Sequence, residues 1–272
     1  MLSLFLGMFS PMIKATELRL YVLECGYFDM REWAPFEALF GVPKSAVELA
    51  GLANPCFLIR NGDKTLLWDA GLPDETPAEY VSAAEGVLAK MPIKLIDQLE
   101  SLGISDGRVD YLAISHLHSD HVGNWRLFSN SKVLVQAKEW HAATEASGRV
   151  GHDEAAVKGL AEFDQLTLLE GDVDVFGDGA VKLILAPGHT PGSQFLVVNL
   201  IEYGPVIISG DVLHFREELE SGILPTFNFS QALAKESIKK MLQYQEALGA
   251  ELWIQHDPIQ HQERKLSPAY YR

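Results

Sequence analysis

The chain has 272 residues, 47% of them apolar and 22% charged, the composition of a globular protein able to bury a sizeable core. Its formal net charge of −15 argues against nucleic acid as a partner, because such a surface repels phosphate backbones, and favours a neutral small-molecule substrate. Two cysteines, Cys25 and Cys56, are too few for a disulfide scaffold or a Cys-based zinc site; each lies in an apolar run, readable as a buried thiol or, were the protein exported, as half of a pair.

In chain order, residues 1–16 read equally as a signal peptide or as a flexible start. Leu2 to Phe9 is an apolar run far too short to span a membrane, no Lys or Arg precedes it, and Pro11 and Lys14 stand where small residues are expected. The first reading places the protein in the periplasm or outside the cell, the second in the cytoplasm. Residues 17–272 read as one domain.

Residues 18–25 and 56–60 predict strands, and Asn61-Gly62-Asp63 a hairpin turn back through TLLWDAG. Over 76–102, Tyr80, Val81, Ala84, Val87 and Leu88, then Ile93, Ile96 and Leu99, fall at helical spacing and predict two helices parted at Pro92. VDYLAIS (109–115) predicts a buried strand, 132–136 another, and 137–147 a helix. VKLILAPG, FLVVNL and PVIISGD predict three strands, 230–248 an amphipathic helix closed by Gly249, and ELWIQH a last strand. Strands in two series with helices between them suit two sheets faced by helices, an α+β architecture in one αββα layered domain.

The chemistry concentrates at strand ends. His116, His118, Asp120 and His121 occupy six residues directly after the buried strand, a donor set suited to borderline divalent cations such as zinc. Alternate residues of an extended segment point the same way, so His116 and His118 can grip one ion while Asp120 and His121 turn toward a second. His189 lies in APGHTPGS, where Pro and Gly set the turn. Asp211 follows the apolar run Val206-Ile207-Ile208 and then Ser209-Gly210, and a carboxylate there is costly to bury unless paired or bound to metal. His256 again ends a strand. His141 and His152 are expected at the surface, and His214 stands three residues after Asp211.

The series HLHSDH, PGHTPGS, SGD and QHD resembles the metallo-β-lactamase superfamily over nearly the whole chain. That resemblance implies a four-layer αββα sandwich with two divalent metal ions, zinc foremost and iron, manganese or cobalt as alternatives. His116, His118 and His189 would hold one ion, Asp120, His121 and His256 the other, and Asp211 with a hydroxide would bridge them. Asp69, in LLWDAG, would support the ligands from behind. Asp120 would also carry a proton to the leaving group.

Several branches are set aside. The antibiotic-hydrolysing lactamases usually carry Cys at the place of Asp211, the flavin-linked di-iron members Glu at that of His118, glyoxalase II a further helical domain, and the nucleic-acid-processing members basic clefts. LRLYVLECG, NPCFLIRNGDKTLLWDAGLPD, SHLHSDHVGNW and WIQHDPIQHQ are most similar to the N-acyl-homoserine lactonases. The resemblance implies opening of a lactone ring by a metal-bridging hydroxide, with another small-molecule ester, lactone or organophosphate hydrolase as the alternative. Those lactonases commonly place a Tyr three residues after the bridging Asp; this chain has His214, a donor able to contact the substrate. In related lactonases the region of residues 27–40 covers the active site, so Phe28, Met30, Trp33, Phe36 and Phe40 are candidates for an acyl-chain pocket, with Leu224, Phe227 and Phe229 opposite. Such apolar patches also suit plain core or a homodimer.

Overall fold

Period-two alternation decides which core each strand residue joins. In β1 (Leu18–Asp29), Tyr21, Leu23 and Cys25 face one cluster while Leu18, Leu20 and Val22 face another. β2 (Gly51–Asn61) runs antiparallel beside it and splits the same way, Cys56 and Leu58 against Phe57 and Ile59. β3 (Lys64–Trp68) returns through Gly62, whose φ of 65° suits the predicted turn. The computed structural model describes residues 17–44, 50–145 and 151–272. The signal-peptide reading of residues 1–16 and the end of the helix expected over 137–147 therefore lie outside the described residues.

After β3 come β4 (Val81–Ala84), β5 (Val87–Lys90), β6 (Tyr111–Ala113), β7 (Lys132–Gln136) and β8 (Leu166–Leu169), giving a sheet ordered β4-β5-β1-β2-β3-β6-β7-β8. β9 (Val173–Asp174), β10 (Val181–Leu185), β11 (Gln194–Leu200), β12 (Gly204–Ile208) and β13 (Glu251–Trp253) form the second, ordered β13-β12-β11-β10-β9. The helices are α1 (Phe36–Phe40), α2 (Leu95–Ser101), α3 (Ser119–Val122), α4 (Ala137–Thr144), α5 (Glu154–Ala161), α6 (Arg216–Ser221), α7 (Gln231–Leu248) and α8 (Pro258–Gln262).

Three cores stack the layers. Leu95, Leu99, Ala143, Val157 and Leu160 of α2, α4 and α5 cover the outer face of the large sheet. Between the sheets, Phe57, Trp68 and Leu134 meet Leu183, Val198, Ile208 and Trp253. Met241 and Ile238 of α7 cover the far face of the small sheet on Ile184, Phe195 and Ile207. This is the expected αββα order.

One expected element is wrong. Residues 81–90 form a β-hairpin rather than a helix, turning at Gly86 with φ 70° and pairing β5 onto β1 at Tyr27, Phe28 and Asp29. The apolar residues there also fit a period of two, since Val87 and Ala89 are buried while Leu88 is exposed, and the open edge of β1 selects the strand. Cys25 and Cys56, both fully buried, are joined as a disulfide, which selects the paired reading of the two apolar runs. Among the described residues no helix is long and apolar enough to cross a membrane.

Candidate metal centre

Every candidate ligand leaves the end of a strand. β6 feeds Ile114, Ser115 and His116, none more than 1% exposed, and His118 immediately precedes α3, whose single turn carries Asp120 and His121. His189 sits between β10 and β11, Asp211 follows β12, and His256 follows β13. At Gly188 φ is 155°, and an added Cβ would lie 2.4 Å from Ala234 Cα, so only glycine lets the His189 loop pack on α7.

Two donor sets result. His116, His118, His189 and Asp211 place one ligand atom each within 4.8 Å of one another, as do Asp120, His121 and His256, and each set could hold a metal ion. His189 Nε2 is 3.2 Å from His116 Nε2 and 3.1 Å from His118 Nδ1, while His256 Nε2 is 3.2 Å from His121 Nε2. Asp211 lies between the sets. Its Oδ1 is 3.0 Å from His256 Nε2 and 3.2 Å from His121 Nε2, and its Oδ2 is 3.3 Å from His189 Nε2.

Hydrogen bonds behind the rings fix their tautomers. His121 Nδ1 donates to Asp69 Oδ2 at 2.8 Å, His256 Nδ1 to the Ala53 carbonyl at 2.7 Å, and His189 Nδ1 to Asn228 Oδ1 at 3.3 Å. In their neutral form these rings turn Nε2 lone pairs toward one another and toward Asp211, whose buried Oδ1 has no hydrogen-bond partner. Converging lone pairs repel unless a cation sits among them, so the donors fit a divalent metal at each set. Burial, then the neighbouring His121, lowers the His116 pKa well below the ordinary imidazole value. Burial dominates the same lowering at His189. Burial opposes protonation of His121 too, but Asp211, Asp120 and Asp69 outweigh it and raise its pKa well above the usual value, which marks this set as seeking positive charge.

Asp69 lies directly behind His121. Held at φ 60°, it accepts the Ser115 N–H at 2.7 Å, His121 Nδ1, and Gln255 Nε2 at 2.8 Å. Gln255 in turn accepts the Trp68 indole at 2.9 Å.

His214 is 3% exposed, with Nε2 3.3 Å from Asp211 Oδ2 and Nδ1 3.3 Å from Glu218 Oε1. Burial works against its charged form, but the Glu218 and Asp211 carboxylates prevail and push its pKa up to about 10. Its ring stacks 5.9 Å from His256 and meets Phe40 and Phe227 edge-on at 5.5 Å.

Of the expected pocket residues, Met30, Phe36 and Phe40 are buried in one cluster, with Phe28, Trp33 and Phe227 packed against it. Phe227 also touches the His189 ring at 5.8 Å. Phe229 does not join this cluster: it is 48% exposed, and its backbone N–H, not its ring, reaches the His189 carbonyl. Leu224 is buried, and the sequence reading missed Phe215, which fills the cluster centre against Phe36 and Phe40.

His141 is exposed as expected, but His152 is not: it is 7% exposed, with Nε2 3.0 Å from the buried Glu139 carboxylate. An isolated His in a polar stretch gives no sign of so distant a partner. Glu218, by contrast, follows His214 by only four residues, within α6.

Comparison with known proteins agrees with this geometry: the family model described as the metallo-beta-lactamase superfamily matches residues 49–248. The chain belongs to the metallo-β-lactamase superfamily. Within it, the N-acyl homoserine lactonase AttM of Azorhizobium caulinodans is 31% identical over 184 residues, 65% of this chain and 68% of that protein. An N-acyl homoserine lactonase of a Bacillus species is 29% identical over 230 residues, 82% of this chain and 88% of that one. Among solved structures, an N-acyl homoserine lactone hydrolase with N-hexanoyl-L-homoserine bound at its catalytic metal centre has a TM-score of 0.77 and 25% identity, covering 94% of this chain and 99% of that one. These relatives are hydrolases, and this superfamily member is an enzyme of that class.

Proposed function

We propose that the protein opens the lactone ring of N-acyl-homoserine lactones with two divalent cations, zinc foremost. His116, His118 and His189 would hold one and Asp120, His121 and His256 the other, with the Asp211 carboxylate placed between the two sets. The observation that carries this reading is the run of two convergent donor sets against an aromatic wall, on a fold similar to a hydrolase that binds N-hexanoyl-L-homoserine. When bound, the metal pair supplies an acidified water and polarises the ester carbonyl.

The chain's own groups do the remaining work. Asp120, whose side chain keeps 18% exposure, carries a proton from the attacking water to the leaving ring oxygen. His214, oriented through Nδ1 by Glu218, presents Nε2 beside Asp211 as donor to the lactone. Phe40 and Phe227, with Phe28, Met30, Trp33 and Phe36 around them, hold the acyl chain and exclude water. Neutral substrates suit the net charge of −15. His214, standing where lactonases commonly carry Tyr, favours one second reading, a related ester or organophosphate hydrolase of the same fold.

Turnover of butanoyl- to dodecanoyl-homoserine lactones by metal-analysed protein, followed by proton release, tests this. Efficient opening with two metals per chain is expected. Two metals with hydrolysis only of aryl esters or phosphotriesters would move the assignment to the second reading.

A further inference from the structure

One buried carboxylate takes no part in either donor set, yet it touches the two loops that carry the three histidines of the first. Glu139 lies in the first turn of α4 and is 1% exposed. Its Oε1 accepts the N–H of Leu117, the residue between His116 and His118, at 2.9 Å. Its Oε2 accepts the N–H of Gly192, three residues beyond His189, also at 2.9 Å. His152 closes the outer side, with Nε2 3.0 Å from Oε1 and its ring 6.1 Å from that of His118. Burying an ionised carboxylate is unfavourable unless donors surround it, and here two of those donors are backbone groups of the two ligand loops. The approach is close: a Cβ on Gly192 would lie 2.1 Å from the Glu139 backbone nitrogen, so a bare glycine is what brings its N–H to the carboxylate.

The second donor set is anchored elsewhere. His121 is held by Asp69, and His256 by the Ala53 carbonyl. Nothing in that pair of bonds passes through α4.

We propose that Glu139 is a positioning residue for the first donor set alone: it ties the His116–His118 segment to the His189 loop, so that retention of one cation of the pair depends on it and retention of the other does not. This rests on the two-cation reading above. Outer partners of metal ligands typically contribute about 10- to 100-fold in metal affinity. Replacing Glu139 by Gln leaves one carbonyl for two backbone donors and turns an N–H₂ group against the other.

The test isolates each set by deleting the opposite one. His256→Ala leaves the first set, and His189→Ala the second. Zinc-loaded chains are dialysed against a graded chelator, and metal per chain is measured, with circular dichroism of the metal-free forms as the folding check. On the His256→Ala background, Glu139→Gln should release its zinc at about 10- to 100-fold lower chelator. On the His189→Ala background the same change should leave the release point unmoved. Equal loss on both backgrounds, or no loss on the first, would overturn the proposal. Glu139→Asp, which keeps the charge but shortens the reach, carries the same comparison if the Gln variant does not fold. A parent chain holding fewer than two zinc ions would overturn the two-cation reading instead, while the His256→Ala comparison would still decide the role of Glu139.

Discussion

Asp211 Oδ1 lies 3.0 Å from His256 Nε2, and the imidazole donates its Nδ1–H to the Ala53 carbonyl. A lone pair thus faces a carboxylate oxygen inside the protein, an arrangement that a cation makes favourable. Chelation should therefore abolish turnover and zinc should restore it. Asp211→Asn, which removes the negative charge and one of the two oxygens, should lower both metal affinity and kcat/KM by more than about 100-fold, the upper range for mere outer partners. Full metal content with unimpaired kinetics would refute the bridging role.

His214 touches Asp211 on one side and Glu218 on the other, while Phe40 and Phe227 pack on its ring. If it donates to the lactone, His214→Phe should lower kcat about 100-fold with two metals still bound, the usual effect of removing one aligned donor. His214→Tyr should recover part of the loss. Steady-state kinetics beside metal analysis gives the answer, and unchanged kcat in the Phe variant would remove His214 from the reaction.

The aromatic wall should read chain length. Phe227 is partly buried and joins Phe40 at 5.2 Å and His189 at 5.8 Å. Losing contact with two methylenes costs about 1.6 kcal/mol, so Phe227→Ala should raise KM for a decanoyl lactone about tenfold and for a butanoyl lactone little. Equal effects on both would mean that the acyl chain lies elsewhere.

A separate histidine sets an acid limit on stability. Burial, with Arg264 adding to it, lowers the His261 pKa to about 4, and its Nε2 lies 2.9 Å from the Tyr27 hydroxyl. The unfolded chain takes up that proton near pH 6.5, so between about 6.5 and 4 the unfolded state binds more protons and stability falls as pH falls. Above pH 6.5 the effect vanishes. Urea unfolding of the metal-free chain should lose roughly 2 kcal/mol more between pH 7 and pH 5 than the His261→Gln variant does. Parallel pH dependences would contradict the buried neutral state.

Much of this protein was legible along the chain because its ligands follow strands directly. A buried apolar run delivers His116, His118, Asp120 and His121 within six residues, and the strands before His189, Asp211 and His256 announce themselves by apolar content alone. The layered fold followed from the same local patterns. What tertiary structure decided were the choices that local pattern leaves degenerate or unmarked. Residues 81–90 satisfied both periods, and pairing with the edge of β1 selected the hairpin. Cys25 and Cys56 acquired a partner only when β1 met β2. Phe215 entered the aromatic cluster, and Phe229 stayed out, according to how the loops around α1 and α6 close. Glu139 and His152 became buried partners across two loops distant in sequence. A carboxylate declares its role only by the donors around it, and those donors are assembled by packing, not by neighbours in the chain.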